Sequence, residues 1–103
     1  MHKYGLHNKL NAIEGKGLEL SKILLEAADL LANAEGCQLY LISKSEHDPD
    51  EIWVSEVWSN QDSHQQSLQS PAIRALIDRA MPLLKRSPEK GQVLTVIGGL
   101  GVE

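Results

Sequence analysis

Hydrophobic and polar positions alternate over residues 3–13. One side of this pattern carries Tyr4, Leu6, Asn8, Leu10 and Ala12. A period of two is typical of a strand with one strongly buried face. We therefore predict a first strand over these residues, with the polar Asn8 pointing towards the core.

The spacing changes to that of a helix over residues 18–34. The apolar positions are Leu20, Ile23, Leu24, Ala27, Ala28, Leu30 and Leu31. This recurrence predicts an amphipathic helix of about four turns. The preceding Glu14-Gly15-Lys16-Gly17 is a turn sequence, and Gly36 fits a helix stop.

Two strands are predicted next, at residues 37–43 and 51–58. The second, Glu-Ile-Trp-Val-Ser-Glu-Val-Trp, is rich in residues that favour strands. The polar stretch between them contains Asp48-Pro49-Asp50, which is turn chemistry. The two strands are therefore expected to form a hairpin.

The last third of the chain predicts helix and then strand. Residues 59–70 are polar and are expected to contain a short helix, and Pro71 suits the first turn of a further helix. Pro82 should bend or end that helix. After a loop at residues 87–90, residues 92–97 predict the final strand.

The order β-α-β-β-α-β predicts a ferredoxin-like α+β fold, with a four-stranded antiparallel sheet and helices on one face. Both sheet faces carry apolar residues, since Trp53 alternates with Ile52 and Val54. A second subunit is the simplest cover for the face without helices, so we predict a homodimer. We expect the sheet face bearing Trp53 and Tyr40 to be at least partly buried by the partner.

Composition narrows the class of protein. The chain has 103 residues, which suits a single domain over residues 1–103, and a net charge of −4, which argues against nucleic acid or an anionic membrane as partner. The lone Cys37 cannot form an internal disulfide, so a cytoplasmic location is expected. No segment approaches the roughly 20 apolar residues of a membrane span, and no signal peptide is visible.

Several segments together resemble a known family. They are Gly5-Leu6-His7-Asn8-Lys9-Leu10, Glu14-Gly15-Lys16, Glu35-Gly36-Cys37, Ile52-Trp53-Val54-Ser55-Glu56-Val57-Trp58, Ser63-His64-Gln65-Gln66-Ser67-Leu68 and Gly98-Gly99-Leu100-Gly101. In this order, and at this length, the chain is similar to the antibiotic biosynthesis monooxygenase superfamily, and especially to its small quinol-monooxygenase-like members. The resemblance implies a dimeric α/β barrel of ferredoxin-like subunits and oxygen chemistry on aromatic substrates without flavin, haem or metal.

Such chemistry needs an electron-rich substrate and a group that takes its proton. The expected function is a cofactor-independent monooxygenase that oxidises a quinol-like or phenolic aromatic with O₂. The alternative is a non-catalytic dimeric module of the same fold that binds a small molecule or regulates a partner. No cofactor is expected, because the closing Gly98-Gly99-Leu100-Gly101 precedes no helix and is not a nucleotide loop, and because no histidine pair has metal-ligand spacing.

His64 and Asn8 are the candidate catalytic residues. Imidazole titrates near neutrality, so His64 is the best proton acceptor, although a surface histidine that caps a short helix is the alternative. Asn8 could hold a substrate oxygen or bond a neighbouring side chain.

Four further residues are candidates for substrate binding: Trp58, Tyr40, Ser67 and Glu56. Either aromatic could wall a pocket or simply belong to the core. Ser67 lies one helical turn from His64 and could line the same pocket, or have no role. Glu56 could orient a polar group or be an edge charge that reaches solvent.

Overall fold

Four strands and three α-helices make up the protein, as seen in a computed structural model that describes residues 2–88 and 91–102. In chain order they are β1 (Lys3–Asn11), α1 (Gly17–Leu31), β2 (Cys37–Lys44), β3 (Glu51–Trp58), α2 (Gln61–Ser67), α3 (Pro71–Ala80), a 3₁₀ turn (Met81–Leu83) and β4 (Gln92–Val96). The predicted loop at residues 87–90 lies partly outside the described residues.

The strands form one antiparallel sheet in the order β2-β3-β1-β4. Helices α1 and α3 contact each other, and α1 packs on β2 and β3. This is the predicted ferredoxin-like α+β fold. The core between helices and sheet contains Leu20, Ile52 and Trp58, each 0% exposed.

The predicted inward side of β1 is confirmed by its pairing with β3. Asn8 lies opposite Val54, and Leu10 lies opposite Ile52. Both partners are buried, so this side of β1 faces the helices. The strand ends earlier than predicted, because Ala12 leaves the ladder to form an isolated bridge with Leu84.

Local chemistry sets the helix ends. The Asp50 carboxylate accepts hydrogen bonds from the backbone N–H groups of Gly15 and Gly17, at 3.0 and 2.8 Å, where α1 begins. The Ser70 side chain caps α3, and Pro71 occupies its first turn as predicted. Pro82 follows the end of α3, as expected for a residue that cannot continue a helix.

The expectation that Tyr40 and Trp53 share one sheet face is wrong. Tyr40 lies opposite Glu56 and faces the helices, whereas Trp53 lies opposite Lys9 and Ser43 on the other face. An irregularity between Cys37 and Leu39 shifts the register of β2. Apolar residues occupy both phases of β2, so alternation alone could not decide which phase faces inward.

The face of the sheet opposite the helices remains rich in apolar side chains. We call it the outer face, and it carries Leu39, Leu41, Trp53, Val57 and Leu94. Leu41 is 50% exposed and Leu94 is 49% exposed. Across the described residues, no helix has the length and apolar character needed to span a membrane.

Candidate active site

An apolar cavity of about 100 Å³ lies between the helices and the sheet. We call it the inner cavity. Its apolar walls include Ile23, Leu24, Leu31, Ile73, Leu76 and Ile77. Among the described residues, its polar lining consists of Tyr40, Glu56, His64 and Ser67, which are four of the six candidate residues. The packing of the helices on the sheet thus brings polar groups that are distant in the sequence to the inner cavity.

Short helix α2 carries His64 to this cavity and is held at its beginning. Asn60 caps the helix, since its side-chain oxygen accepts a hydrogen bond from the backbone N–H of Ser63 at 2.8 Å. The N–H of Ser59 donates to the carbonyl of Gly36 at 2.8 Å. Gly36 has φ of +85°, and the Ser63 side chain occupies the space where a Cβ at position 36 would lie.

The His64 imidazole is enclosed rather than exposed. Its side chain is 15% exposed and packs near two aromatic rings, with centroid distances of 5.7 Å to Tyr4 and 5.5 Å to Trp58. Its Nδ1 atom is buried and makes no hydrogen bond to the described part of the chain. Burial lowers the pKa of His64, which favours the neutral imidazole. The surface-histidine interpretation is therefore wrong.

Glu56 is a buried carboxyl group beneath this histidine. Its Oε1 accepts a hydrogen bond from Trp58 Nε1 at 2.9 Å and lies 3.8 Å from His64 Nε2. Burial raises the pKa of Glu56, although the Trp58 hydrogen bond opposes this change. Because Glu56 is only 8% exposed, the interpretation as an edge charge that reaches solvent is wrong.

The side chains around His64 and Glu56 also include those of Trp58, Ser67 and Tyr40. Trp58 belongs to the core and orients the Glu56 carboxyl group rather than lining the cavity wall. The Ser67 hydroxyl donates to the backbone carbonyl of His64 at 2.6 Å, within its own helix. Burial, and secondarily the Glu56 charge, raise the pKa of Tyr40, so its hydroxyl keeps its proton.

Asn8 lies outside the inner cavity, in an adjacent cleft of about 240 Å³. We call this the outer cleft, and it is lined by Asn8, Leu10, Leu24, Tyr40, Val54, Glu56 and Pro88. The Asn8 side-chain oxygen packs where a Cβ at Gly91 would lie. The two candidate catalytic residues, His64 and Asn8, are thus on either side of Glu56 and Tyr40 rather than in one chamber.

Sequence reasoning missed two features of the site. Tyr4 contacts the His64 ring, and the cross-strand pairing of Tyr4 with Trp58 explains why both reach it. The Glu56–Trp58 hydrogen bond was also missed, although residues two apart on a strand share a face. Helices α1 and α3 supply the apolar walls. The apolar pattern of each helix predicts which of its sides is buried, but not how closely the two helices pack.

Metal-ligating groups are not clustered in the described ranges, where no set of three His, Cys, Asp or Glu side chains could hold a metal ion. Cys37 does not line the inner cavity. Burial raises the pKa of its thiol, which disfavours the thiolate.

Comparison with known proteins gives the family. Residues 3–79 match the sequence model described as "Antibiotic biosynthesis monooxygenase". Among proteins of curated function, no match was found. A Chloroflexus aurantiacus J-10-fl crystal structure, named a "putative Antibiotic biosynthesis monooxygenase", is similar with 33% identity and a TM-score of 0.88, covering 98% of this chain and 99% of that one.

Two more distant structures share the fold. A Caulobacter crescentus CB15 protein that is also named a "putative antibiotic biosynthesis monooxygenase" has 22% identity and a TM-score of 0.83, covering 93% of this chain and 91% of that one. A mutant form of SnoaB, "a cofactor-independent oxygenase from Streptomyces nogalater", has 15% identity and a TM-score of 0.81, covering 95% of this chain and 96% of that one. The family match over residues 3–79 and the 33% identical structure together show that this chain belongs to the antibiotic biosynthesis monooxygenase family.

Proposed function

We propose that the protein is a cofactor-independent monooxygenase that oxidises a quinol-like or phenolic aromatic with O₂, using His64 as the base. The observation that carries this proposal is that His64 lines an apolar cavity while its buried Nδ1 atom makes no hydrogen bond to the described residues. A buried polar atom normally has a hydrogen-bond partner, and a phenolic hydroxyl supplies the missing one.

In the proposed reaction, the neutral His64 imidazole removes the phenolic proton of a bound hydroquinone. The resulting anion gives one electron to O₂, and the two radicals combine to form a carbon–oxygen bond. The adduct is a peroxide anion, which takes the proton back from His64 and becomes a hydroperoxide. The C–H bond at the oxygenated ring carbon then breaks, giving its proton to His64 and its electron pair to the new C=O bond. The O–O bond breaks at the same time, and the departing hydroxide takes that proton from His64 and leaves as water. A hydroquinone and O₂ thus yield a hydroxyquinone and water, and the substrate supplies all the electrons.

The surroundings of His64 support this role. The lowered pKa keeps the imidazole unprotonated at neutral pH, so it is ready to accept a proton. The mostly apolar walls offer few polar partners to water beside a bound ring, which limits solvation of the anion and quenching of the peroxide. The resemblance in fold to SnoaB, a cofactor-independent oxygenase by name, is consistent with a reaction that needs no added cofactor.

Oxygen uptake by the purified protein tests the proposal, with hydroquinone and methylhydroquinone as probes and no added cofactor. His64→Ala should lower turnover by at least about tenfold, since one positioned base is worth about 10²–10⁴ in rate. The acid limb of the wild-type rate should lie below pH 6.5, because deprotonation of His64 is needed and burial lowers its pKa.

His47→Ala is the matched control, because His47 is exposed in a loop away from the cavity. Its turnover should equal that of the wild type. Unfolding of both variants must be measured in parallel, since the His64 ring packs against Tyr4 and Trp58. Full activity in a folded His64→Ala protein contradicts the assignment of the base.

A second candidate function is a non-catalytic module that binds a small aromatic. The separation of Asn8 from His64 favours it, because an enzyme of the expected kind would gather both around one ligand. Binding of the probes without any oxygen uptake would identify the module.

We also propose that the chain works as a homodimer through the outer face. Leu41 and Leu94 remain about half exposed there, and the His7 ring stacks on Trp53 at a centroid distance of 4.9 Å. A second copy would cover this apolar sheet surface without disturbing the helix side.

A further inference from the structure

The inner cavity and the outer cleft share a wall. Leu24, Tyr40 and Glu56 line both of them. Tyr40 on β2 lies directly opposite Glu56 on β3, so the two side chains are neighbours on the same face of the sheet. Tyr40 contributes the only ring to this wall among the described lining residues.

The inner cavity is small for an aromatic ligand. Its volume is about 100 Å³. An apolar cavity of about 150 Å³ in another protein core holds one benzene molecule. The inner cavity is smaller than this, so one aromatic ring fits only if the side chains around it yield slightly, and a second fused ring has to occupy other space. The outer cleft, at about 240 Å³, is the adjoining space on the other side of Tyr40.

We propose that Tyr40 is a specificity-determining residue that limits the site to phenols and hydroquinones with a single aromatic ring. The inference rests on the proposed function only in taking the ligand to be a phenol beside His64. The hydroxyl group of the ligand lies towards His64, and its ring lies against the apolar side chains of α1 and α3.

A second ring meets two obstacles. It collides with the Tyr40 ring at the shared wall. If Tyr40 moves, the ring enters the outer cleft, where it removes water from the polar groups of Asn8 and Glu56 without replacing their hydrogen bonds. Removal of the Tyr40 ring leaves its space at the shared wall to the second ring, which then avoids both the collision and the polar groups of the outer cleft.

Calorimetric titration without oxygen tests this inference, with phenol and 2-naphthol as probes. In an unrestricted apolar site 2-naphthol binds more tightly, because it buries more apolar area. The wild-type protein should instead bind phenol at least as tightly as 2-naphthol. Tyr40→Val, which keeps a strand-favouring residue, should prefer 2-naphthol by at least tenfold.

Two variants separate the role of the ring from other effects. Tyr40→Phe keeps the wall and should retain the wild-type preference. Ile73→Val removes one methyl group from the wall of the inner cavity, which is too little space for a second ring, and leaves the outer cleft untouched, so it too should retain that preference. Should Tyr40→Val fail to fold, Tyr40→Leu makes the same test with a larger side chain.

Each result has one meaning. A wild-type preference for 2-naphthol, no binding of phenol, no change in the folded Tyr40 variant, or an equal change in Ile73→Val overturns the inference. The expected ring-size pattern with no oxygen uptake from any hydroquinone defeats the proposed monooxygenase activity and leaves the role of Tyr40 intact.

Discussion

At the scale of single residues, Glu56 is the least expected feature of the site. A carboxyl group on the inward side of a strand is costly unless it finds partners, and Glu56 finds the indole N–H of Trp58 at 2.9 Å. Among the described residues, the titratable groups that interact with it are His64, Tyr40 and Cys37. The sequence predicts that Glu56 lies on the same side of β3 as Ile52, Val54 and Trp58. It does not predict that Glu56 is buried, because burial depends on how α2 packs against β3.

Glu56→Gln should make the free energy of unfolding less dependent on pH. Because burial raises the pKa of Glu56 in the folded protein, the folded state binds more protons than the unfolded state above the ordinary value of 4.5. The wild type therefore loses stability as pH rises from that value through the raised pKa. Each tenfold change in the acid dissociation constant on folding contributes about 1.4 kcal/mol to this loss. The glutamine still accepts the Trp58 hydrogen bond but does not ionise.

Urea unfolding followed by tryptophan fluorescence between pH 4 and pH 8 measures this difference. Glu51→Gln is the matched control, since Glu51 accepts a hydrogen bond from Trp53 Nε1 at 3.1 Å with the same two-residue spacing, but on a part-buried site. A difference in the free energy of unfolding between wild type and Glu56→Gln that stays constant across this range would show that Glu56 has the same pKa in the folded and unfolded protein.

At the scale of elements, the existence of nearly every helix and strand followed from periodicity and turn chemistry. β3 was predicted with its observed limits, Glu51–Trp58, because turn residues precede it and a polar segment follows. The phase of β2 and the placement of α2 were harder to predict. The register shift near Cys37 and the contact of Gly36 with Ser63 involve distant segments, so no local pattern reports them.

Gly36→Ala tests whether this contact positions α2. Gly36 and Gly15 both have positive φ, at +85° and +84°, so alanine strains the backbone similarly at each, by about 1–2 kcal/mol. Only at Gly36 does the added methyl group meet Ser63, whereas at Gly15 the space is open. We therefore expect Gly36→Ala to lose more stability than Gly15→Ala and to weaken phenol binding as well.

The comparison uses urea unfolding for stability and phenol titration for the site. Ser63→Gly in the Gly36→Ala background removes the side chain that the new methyl group would contact. The double variant should therefore be about as stable as Gly15→Ala. Equal losses in the two alanine variants, with phenol binding unchanged in both, would mean that α2 is positioned by other contacts.

At the scale of the whole molecule, apolar side chains on both sheet faces predicted that one face would need a cover other than its own helices. The fold assigns the helices to the face of Tyr40 and Ile42, which leaves Leu39, Leu41 and Trp53 on the outer face. Tyr40 and Trp53 lie on opposite faces, contrary to the expectation. The outer face nevertheless carries leucines that do not belong to the core, and these support the proposed dimer.

Leu41→Glu should convert the proposed dimer to a monomer. A charge in the middle of an apolar interface loses its hydration without gaining a partner, so association should weaken by at least about 2 kcal/mol, or roughly thirtyfold in dissociation constant. Leu25→Glu is the matched control, since Leu25 on α1 is 53% exposed and Leu41 is 50% exposed. Sedimentation equilibrium at micromolar concentration should give about twice the 11.4 kDa chain mass for wild type and control, and the single-chain mass for Leu41→Glu. A wild-type protein that sediments as a monomer, or a Leu41→Glu variant that stays dimeric, would mean that the outer face is not the interface.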